Sequence, residues 1–366
     1  MLQALAYFAT SSLSRRAAYA SSGDEPGQDP TYTLTPLTWG VIGLVTLAFV
    51  PLFVQTLYTL ASVYPTLAMV EDPTSAPYEA VPSDDNGATF AAADETGDAV
   101  VQGSKVPSPI TASILRTHRY LRSVNGRWAD FRGLLVAITR FVLVMIIITV
   151  VKLVPFVPMA MCNLIAQLAV VQFSTAWVHV VMDADPRSVS LRHSLTPFRR
   201  TFKATCLPVF FRWLASSIVG LLAMLLARMM HIDGHTDNFL YDLESFSHSM
   251  IWKKTIVSIV TLVGTFVVVV PTDVVLTRVQ ASLLPADAKT VVPFDRSFEG
   301  TVKPAVVDGL DYVSMLDAFR TFSRASWRRL LMLYVNVFLL TVVVEVAYII
   351  ILALTIVMTN KPSPAV

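Results

Sequence analysis

Long apolar runs separated by polar blocks dominate this chain. Six runs are long enough to cross a bilayer as helices, which takes ~20 residues: roughly Trp39–Tyr64, Gly133–Val157, Asn163–Met182, Cys206–Met230, Ile256–Arg278 and Leu330–Met358. The last is long enough to tilt or protrude. Pro51 inside the first run predicts a kink, and Pro155 and Pro158 mark the exit from the second. The pattern predicts an all-α membrane protein with six transmembrane helices over residues 38–358, a polar N-terminal tail over 1–37 and a short C-terminal tail over 359–366.

Composition agrees with the pattern. Mean hydropathy is +0.60. Only 15% of residues are charged, against about a quarter in soluble domains. The net charge of +2 is small and points to no nucleic-acid partner; the partner the composition calls for is the lipid bilayer. The two cysteines, Cys162 and Cys206, sit at the edges of apolar runs and read as buried free thiols. Residues 1–23 hold Arg15, Arg16 and several Ser and Ala without an acidic residue, a composition shared by mitochondrial presequences and by unstructured tails.

The connections alternate between long and short. Arg116, Arg119, Arg122, Arg127, Arg132, Arg187, Arg192, Arg199, Arg200, Lys203, Arg320, Arg324, Arg328 and Arg329 all fall in the three longer ones. The positive-inside rule places those three on one side and both termini on the other. That side is the matrix in an inner mitochondrial membrane, or the cytosol in a plasma or endoplasmic reticulum membrane. Residues 71–108, rich in Asp, Glu, Ala, Pro, Ser and Gly, predict a disordered insert that serves as a docking segment for a protein partner or as a plain spacer. Residues 285–312 predict a second irregular loop.

Alternating loops suggest three helix–connection–helix copies, over about 38–158, 159–230 and 251–358. The fifth run ends in Pro271-Thr-Asp273-Val-Val-Leu276-Thr-Arg278-Val-Gln280. Ser174-Thr-Ala176-Trp-Val-His179 and Pro51-Leu-Phe53-Val-Gln-Thr56 align with it without gaps. Asn125-Gly126-Arg-Trp-Ala-Asp-Phe131-Arg132-Gly133, followed by Arg140, opens the second run. The first string resembles the Pro-x-(Asp/Glu)-x-x-(Lys/Arg)-x-(Arg/Gln) signature of the mitochondrial carrier superfamily. The Asn125 string resembles that family's Glu-Gly-x-x-x-Leu-Tyr-Arg-Gly. Val171-Gln-Phe-Ser-Thr-Ala-Trp-Val-His179 and Val279-Gln-Ala-Ser-Leu-Leu-Pro285 also resemble a fungal family of multi-span membrane proteins.

The carrier resemblance implies three charged pairs closing a gate around a central axis. Here the acidic positions hold Phe53, Ala176 and Asp273, and the basic ones Thr56, His179 and Leu276. Asp273 and Arg278 are the gate-like residues that persist. One Asp and one His make no three-membered ring, so a family-type gate is not expected.

Five further expectations concern polar groups within the apolar runs or just beyond one of them. Glu345, midway along the last run, is a costly intramembrane carboxylate and a functional candidate. Arg140 and Arg212 sit inside the second and fourth runs. They face a cavity and attract an anion, or snorkel to the basic side, the reading favoured here. His179 and Asp273 fall at similar depth and form a packing pair or a proton-sensitive latch. Asn163 and Gln167, four apart, share a helix face with cavity-lining or interhelical roles. His231-Ile-Asp233-Gly234-His235-Thr-Asp237 reads as a loop rather than a metal site. No phosphate-binding loop, dinucleotide fingerprint or nucleophile elbow occurs, so neither catalysis nor a cofactor is expected. The expected function is that of a non-enzymatic organiser or adaptor with a carrier-like frame in an organelle membrane. The alternatives are a small-anion transporter of the mitochondrial membrane and a multi-span protein of the secretory pathway or plasma membrane.

Overall fold

A computed structural model describes residues 36–72, 109–184, 195–232, 248–285, 288–298, 300, 302 and 312–359. The N-terminal tail up to residue 35, the body of the insert, the His235 run and the last residues lie outside them. Contacts divide the chain into two units: Met1–Ala48 with Ile349–Val366, and Phe49–Tyr348.

The described part of the smaller unit is the outer ends of the first and last helices. Leu44, Leu47, Ile349 and Leu354 are exposed there. The Thr46 and Thr355 hydroxyls donate to Ile42 O and Ile351 O at 2.8 Å. Such back-bonding satisfies a hydroxyl that lipid would leave without a partner.

The described residues are helical, with one isolated bridge between Asp183 and Thr290. Helix α1 (Pro36–Val54) runs into a π-helical stretch (Gln55–Val63) and α2 (Tyr64–Val70). A 3-10 turn (Ile110–Ala112), α3 (Ile114–Asn125) and a second 3-10 turn (Gly126–Phe131) lead to α4 (Leu134–Lys152). Then come α5 (Met159–Ala169), α6 (Val171–Met182), α7 (Phe198–Met229) and α8 (His248–Gly264). A π-helical stretch (Thr265–Val269) joins α8 to α9 (Val270–Ser282), and α10 (Met315–Arg320) and α11 (Arg324–Thr359) complete the order.

Five segments are long and apolar enough to cross a membrane: Leu37–Val70, Trp128–Lys152, Phe198–Met229, Ile251–Ser282 and Arg324–Ile356. The protein is therefore an integral, multi-pass membrane protein. The expected third span is not straight, because α5 and α6 meet at a 58° bend at Val170. Counted as one broken span, the pair makes six.

Three helices depart from ideal geometry in related ways. Proline lacks the N–H for an i→i−4 bond and its ring crowds the carbonyl four residues back, so a wider turn before it relieves both defects. Tyr64 N–H reaches Thr59 O and Val270 N–H reaches Thr265 O, five residues back in each case. Pro65 and Pro271 follow immediately. The dipeptide Pro65-Thr66 thus stands as Pro271-Thr272 does. Pro51, which the sequence alignment placed opposite Pro271, lies inside α1 instead, and α geometry breaks only at Gln55. The third departure is the Val170 bend.

Helix α9 is the hub of the larger unit, packing on α2, α6, α7 and α10. Leu60, Tyr64, Leu67, Val181, Val270, Val274, Leu330, Leu333 and Val337 form the main buried cluster. The turn before α4 is clamped to the first span. Thr59 Oγ1 donates to Asp130 O at 2.9 Å, Tyr64 OH to Asp130 Oδ1 at 3.1 Å and Tyr58 OH to Arg132 O at 2.6 Å. Gly133 has φ +72°, and a Cβ there would meet Trp177 Cδ1 and Tyr58 OH at 3.3 Å. The glycine is needed twice, for the left-handed backbone and for the close approach.

The predicted insert begins too early at residue 71. Glu71 is 2% exposed, and Arg329 Nη1 lies 3.0 Å from its Oε2. Ile110 N–H donates to Oε1 at 2.5 Å and Thr111 N–H to Oε2 at 3.1 Å. The described chain on either side of residues 73–108 therefore meets at one carboxylate.

Candidate functional site: a polar cavity between the spans

Four of the seven sequence candidates, Arg140, Gln167, Arg212 and Asp273, converge on one cavity of about 330 Å³ within the larger unit. Its wall also takes in Pro65 and Thr66 from α2, Asn163 from α5, Val170 at the bend, Ser174 from α6 and Gln280 from α9. Two of the three irregular points in the helices, Pro65 and Val170, therefore border the cavity, and the third, at Pro271, lies two residues before Asp273 in its wall. The mechanical reason is local: where backbone bonding is interrupted, side chains splay and the helices cannot close-pack.

The polar side chains form two strings. In the first, Arg212 Nε donates to Asp273 Oδ1 as an ion pair, and Arg212 Nη1 donates to Gln167 Oε1 at 3.2 Å. Gln167 Nε2 in turn donates to Asn163 Oδ1 at 2.9 Å. In the second, Arg140 Nη1 donates to Ser174 Oγ at 3.2 Å, and Gln280 Nε2 donates to the same oxygen at 3.3 Å. The Arg140 guanidinium stands 5.8 Å from the centre of the Trp177 ring. No carboxylate pairs with Arg140 among the described residues. Two guanidiniums against one carboxylate leave the wall with one positive charge in excess.

Neither arginine snorkels as expected. Both are half-buried and turn inward, because a bonded partner inside the bundle, Ser174 or Asp273, competes with the distant headgroups. His179 and Asp273, expected as a pair, are each bonded elsewhere. His179 is 2% exposed and its Nε2 lies 2.9 Å from Gln280 O, while Asp273 is taken by Arg212. His179 thus packs between α6 and α9 behind the cavity wall.

Arg278 is buried away from this cavity. Its Nη2 donates to Thr321 Oγ1 at 2.8 Å, and its guanidinium lies 4.9 Å from the Phe298 ring centre and 5.3 Å from that of Phe322. It lines a separate pocket of about 40 Å³ with Glu71, Asp72 and Asp295. Glu345 is half-buried on α11 and lines neither pocket. Phe53, at an expected acidic gate position, packs edge-on against Tyr348 at 5.3 Å. Ala176 and Leu276 are buried. Cys162 and Cys206 are both free thiols.

Sequence reasoning passed over Thr66, Trp177 and Glu71. A signal existed for the first, the Pro-Thr repeat at 65–66 and 271–272. Trp177 is one of many aromatic residues in apolar runs and carries no mark of its own. Glu71 adjoins an acidic segment whose composition absorbs it. The chain matches no protein-family model, no curated protein and no solved structure.

Proposed function

We propose that this protein binds a small anion in the Arg140–Arg212–Asp273 cavity and passes it across the membrane by bending its helices at Pro65, Val170 and Pro271. The observation that carries the reading is Arg140. A guanidinium held among the spans without a carboxylate partner is costly, and such groups sit on solute pathways. The wall supplies neutral donors and acceptors around it, as a binding site needs. The recurrence of a break in the first, third and fifth apolar runs, two of them lining the cavity, supports a carrier-like arrangement of three repeats. Protein and ligand exchange no covalent bonds in this reading.

Ligand-dependent melting of the purified chain tests it. An anion at 100 times its Kd stabilises the folded state by ~2.7 kcal/mol. Wild type should melt higher with at least one small carboxylate or phosphate, and Arg140→Gln should lose that response while still melting cooperatively. A variant that responds as wild type does, or a wild type indifferent to every anion, sinks the proposal.

A second reading, a carrier-like organiser or adaptor that transports nothing, is favoured by the apolar gate positions Phe53, Ala176 and Leu276. Indifference to all anions is its expected signature. In either case the membrane proposed is mitochondrial, on the strength of the carrier resemblance. Fractionation of cells expressing a C-terminally tagged chain, with protease protection of the tag, should recover it with mitochondria; recovery with endoplasmic reticulum or plasma membrane rejects that assignment.

A further inference from the structure

We infer that Asp273 sets the charge of the ligand: by occupying Arg212 it restricts the cavity to monoanions, and its removal would convert the site to one for dianions. The inference rests on the anion-binding reading above and goes beyond it by naming the ligand class and the residue that selects it.

Three charged side chains line the cavity. Asp273 and Arg212 are in direct contact through Nε, so that pair is internally compensated. Arg140 has one hydrogen bond to a neutral hydroxyl and one aromatic face. A ligand carboxylate that docks on Arg140 completes the charge balance of the wall. A second carboxylate on the same ligand finds Arg212 already engaged and the Asp273 oxygens facing it. Like charges juxtaposed in a partly desolvated site repel and disfavour binding. Asp273 is therefore an internal competitor, a built-in anion standing where a second ligand charge would go. Thr66, Asn163, Gln167 and Gln280 on the same wall give a neutral polar end group hydrogen-bond partners without charge.

Arg212 itself is the reason the arrangement can be switched. Its Nη1 is held by Gln167 Oε1 at 3.2 Å independently of Asp273. Replacing the carboxylate by an amide would leave the guanidinium in place and raise the excess from one positive charge to two.

Succinamate and succinate make the comparison, because they are nearly isosteric and carry one and two negative charges. The full-length purified chain is melted in detergent with each probe over a concentration series. Wild type should bind succinamate at least tenfold more tightly than succinate, and Asp273→Asn should reverse the order. If Asp273→Asn does not fold, the double variant Arg212→Gln/Asp273→Asn carries the test. It removes both members of the pair, keeps one excess charge and should retain the succinamate preference. A wild type that takes both probes equally, or prefers succinate, overturns the inference while leaving an anion site standing. The inference falls equally if Asp273→Asn keeps the wild-type order or if the double variant prefers succinate. If neither probe nor any other small anion shifts the wild-type melt, the anion-binding reading falls with it.

Discussion

Two arginine–carboxylate pairs among the described residues of the larger unit are of opposite character. Glu71 and Arg329 are shut off from solvent, with side chains 1% and 9% exposed. Both Glu71 oxygens are in use, by Arg329, by two backbone N–H groups and by the Thr111 hydroxyl, and Arg329 Nη2 donates further to Glu71 O at 3.0 Å. Asp273 and Arg212 are 26% and 34% exposed, face open space, and have an uncompensated arginine for a neighbour. A carboxylate with both oxygens in use, shut away with its cation, has little to offer a ligand. A partly satisfied one has more. The comparison separates a charge that holds helices together from a charge that waits for something.

The largest effect should come from the closed pair. Glu71→Gln leaves Arg329 buried without a counter-charge, and it weakens the tie between the end of α2, the 110–112 turn and the start of α11. Breaking a buried pair on one side costs about 3–5 kcal/mol. A melting curve should show that loss with or without anion. An effect under about 1 kcal/mol would mean the pair is not the clamp its geometry suggests.

Arg140→Gln belongs at the other end of the comparison. It gives up one hydrogen bond, worth about 1 kcal/mol, and one aromatic contact, worth about 0.5–1 kcal/mol when accessible. In return it relieves a cation from the low-dielectric wall. The two changes offset, so stability without ligand should move by no more than about 1 kcal/mol. The response to anion is what should disappear. If Arg140→Gln instead destabilises the protein as much as Glu71→Gln is expected to, Arg140 holds helices together as Arg329 does and is not held ready for a ligand.

The two regions were also unequally legible in the sequence. Arg140, Gln167, Arg212 and Asp273 stand out because each is a polar group in an apolar run, and lipid forces such groups inward. Which of them meet was not legible. Pairing depends on helix rotation, and Arg212 was free on sequence grounds to snorkel. Five of the spans follow from run length alone. The bend at Val170 does not, since no proline or glycine marks it and Ala169-Val170-Val171 reads as unbroken helix. Glu71 was lost to its neighbours, because an acidic residue at the edge of an acidic segment is invisible to any reading by composition. Only the three-dimensional return of the chain at Ile110 reveals it.

Glu345 should show the smallest effect, and it sharpens the comparison most economically. It is the remaining carboxylate of the sequence candidates, half-buried on α11 and without a hydrogen-bond or ion-pair partner among the described residues. By the argument from cost alone it is as suspicious as Asp273. By the argument from geometry it is not, because it lines neither pocket and neutralises no cation. Glu345→Gln keeps the size and polarity of the side chain. It should shift the melting point by less than the equivalent of about 1 kcal/mol and leave the ratio of succinamate to succinate binding at its wild-type value. A changed ratio would place Glu345 in electrical contact with the cavity and would make the charge count of the wall wrong by one. An unchanged ratio means that what an intramembrane carboxylate does here is decided by the cation it meets, not by its depth in the membrane.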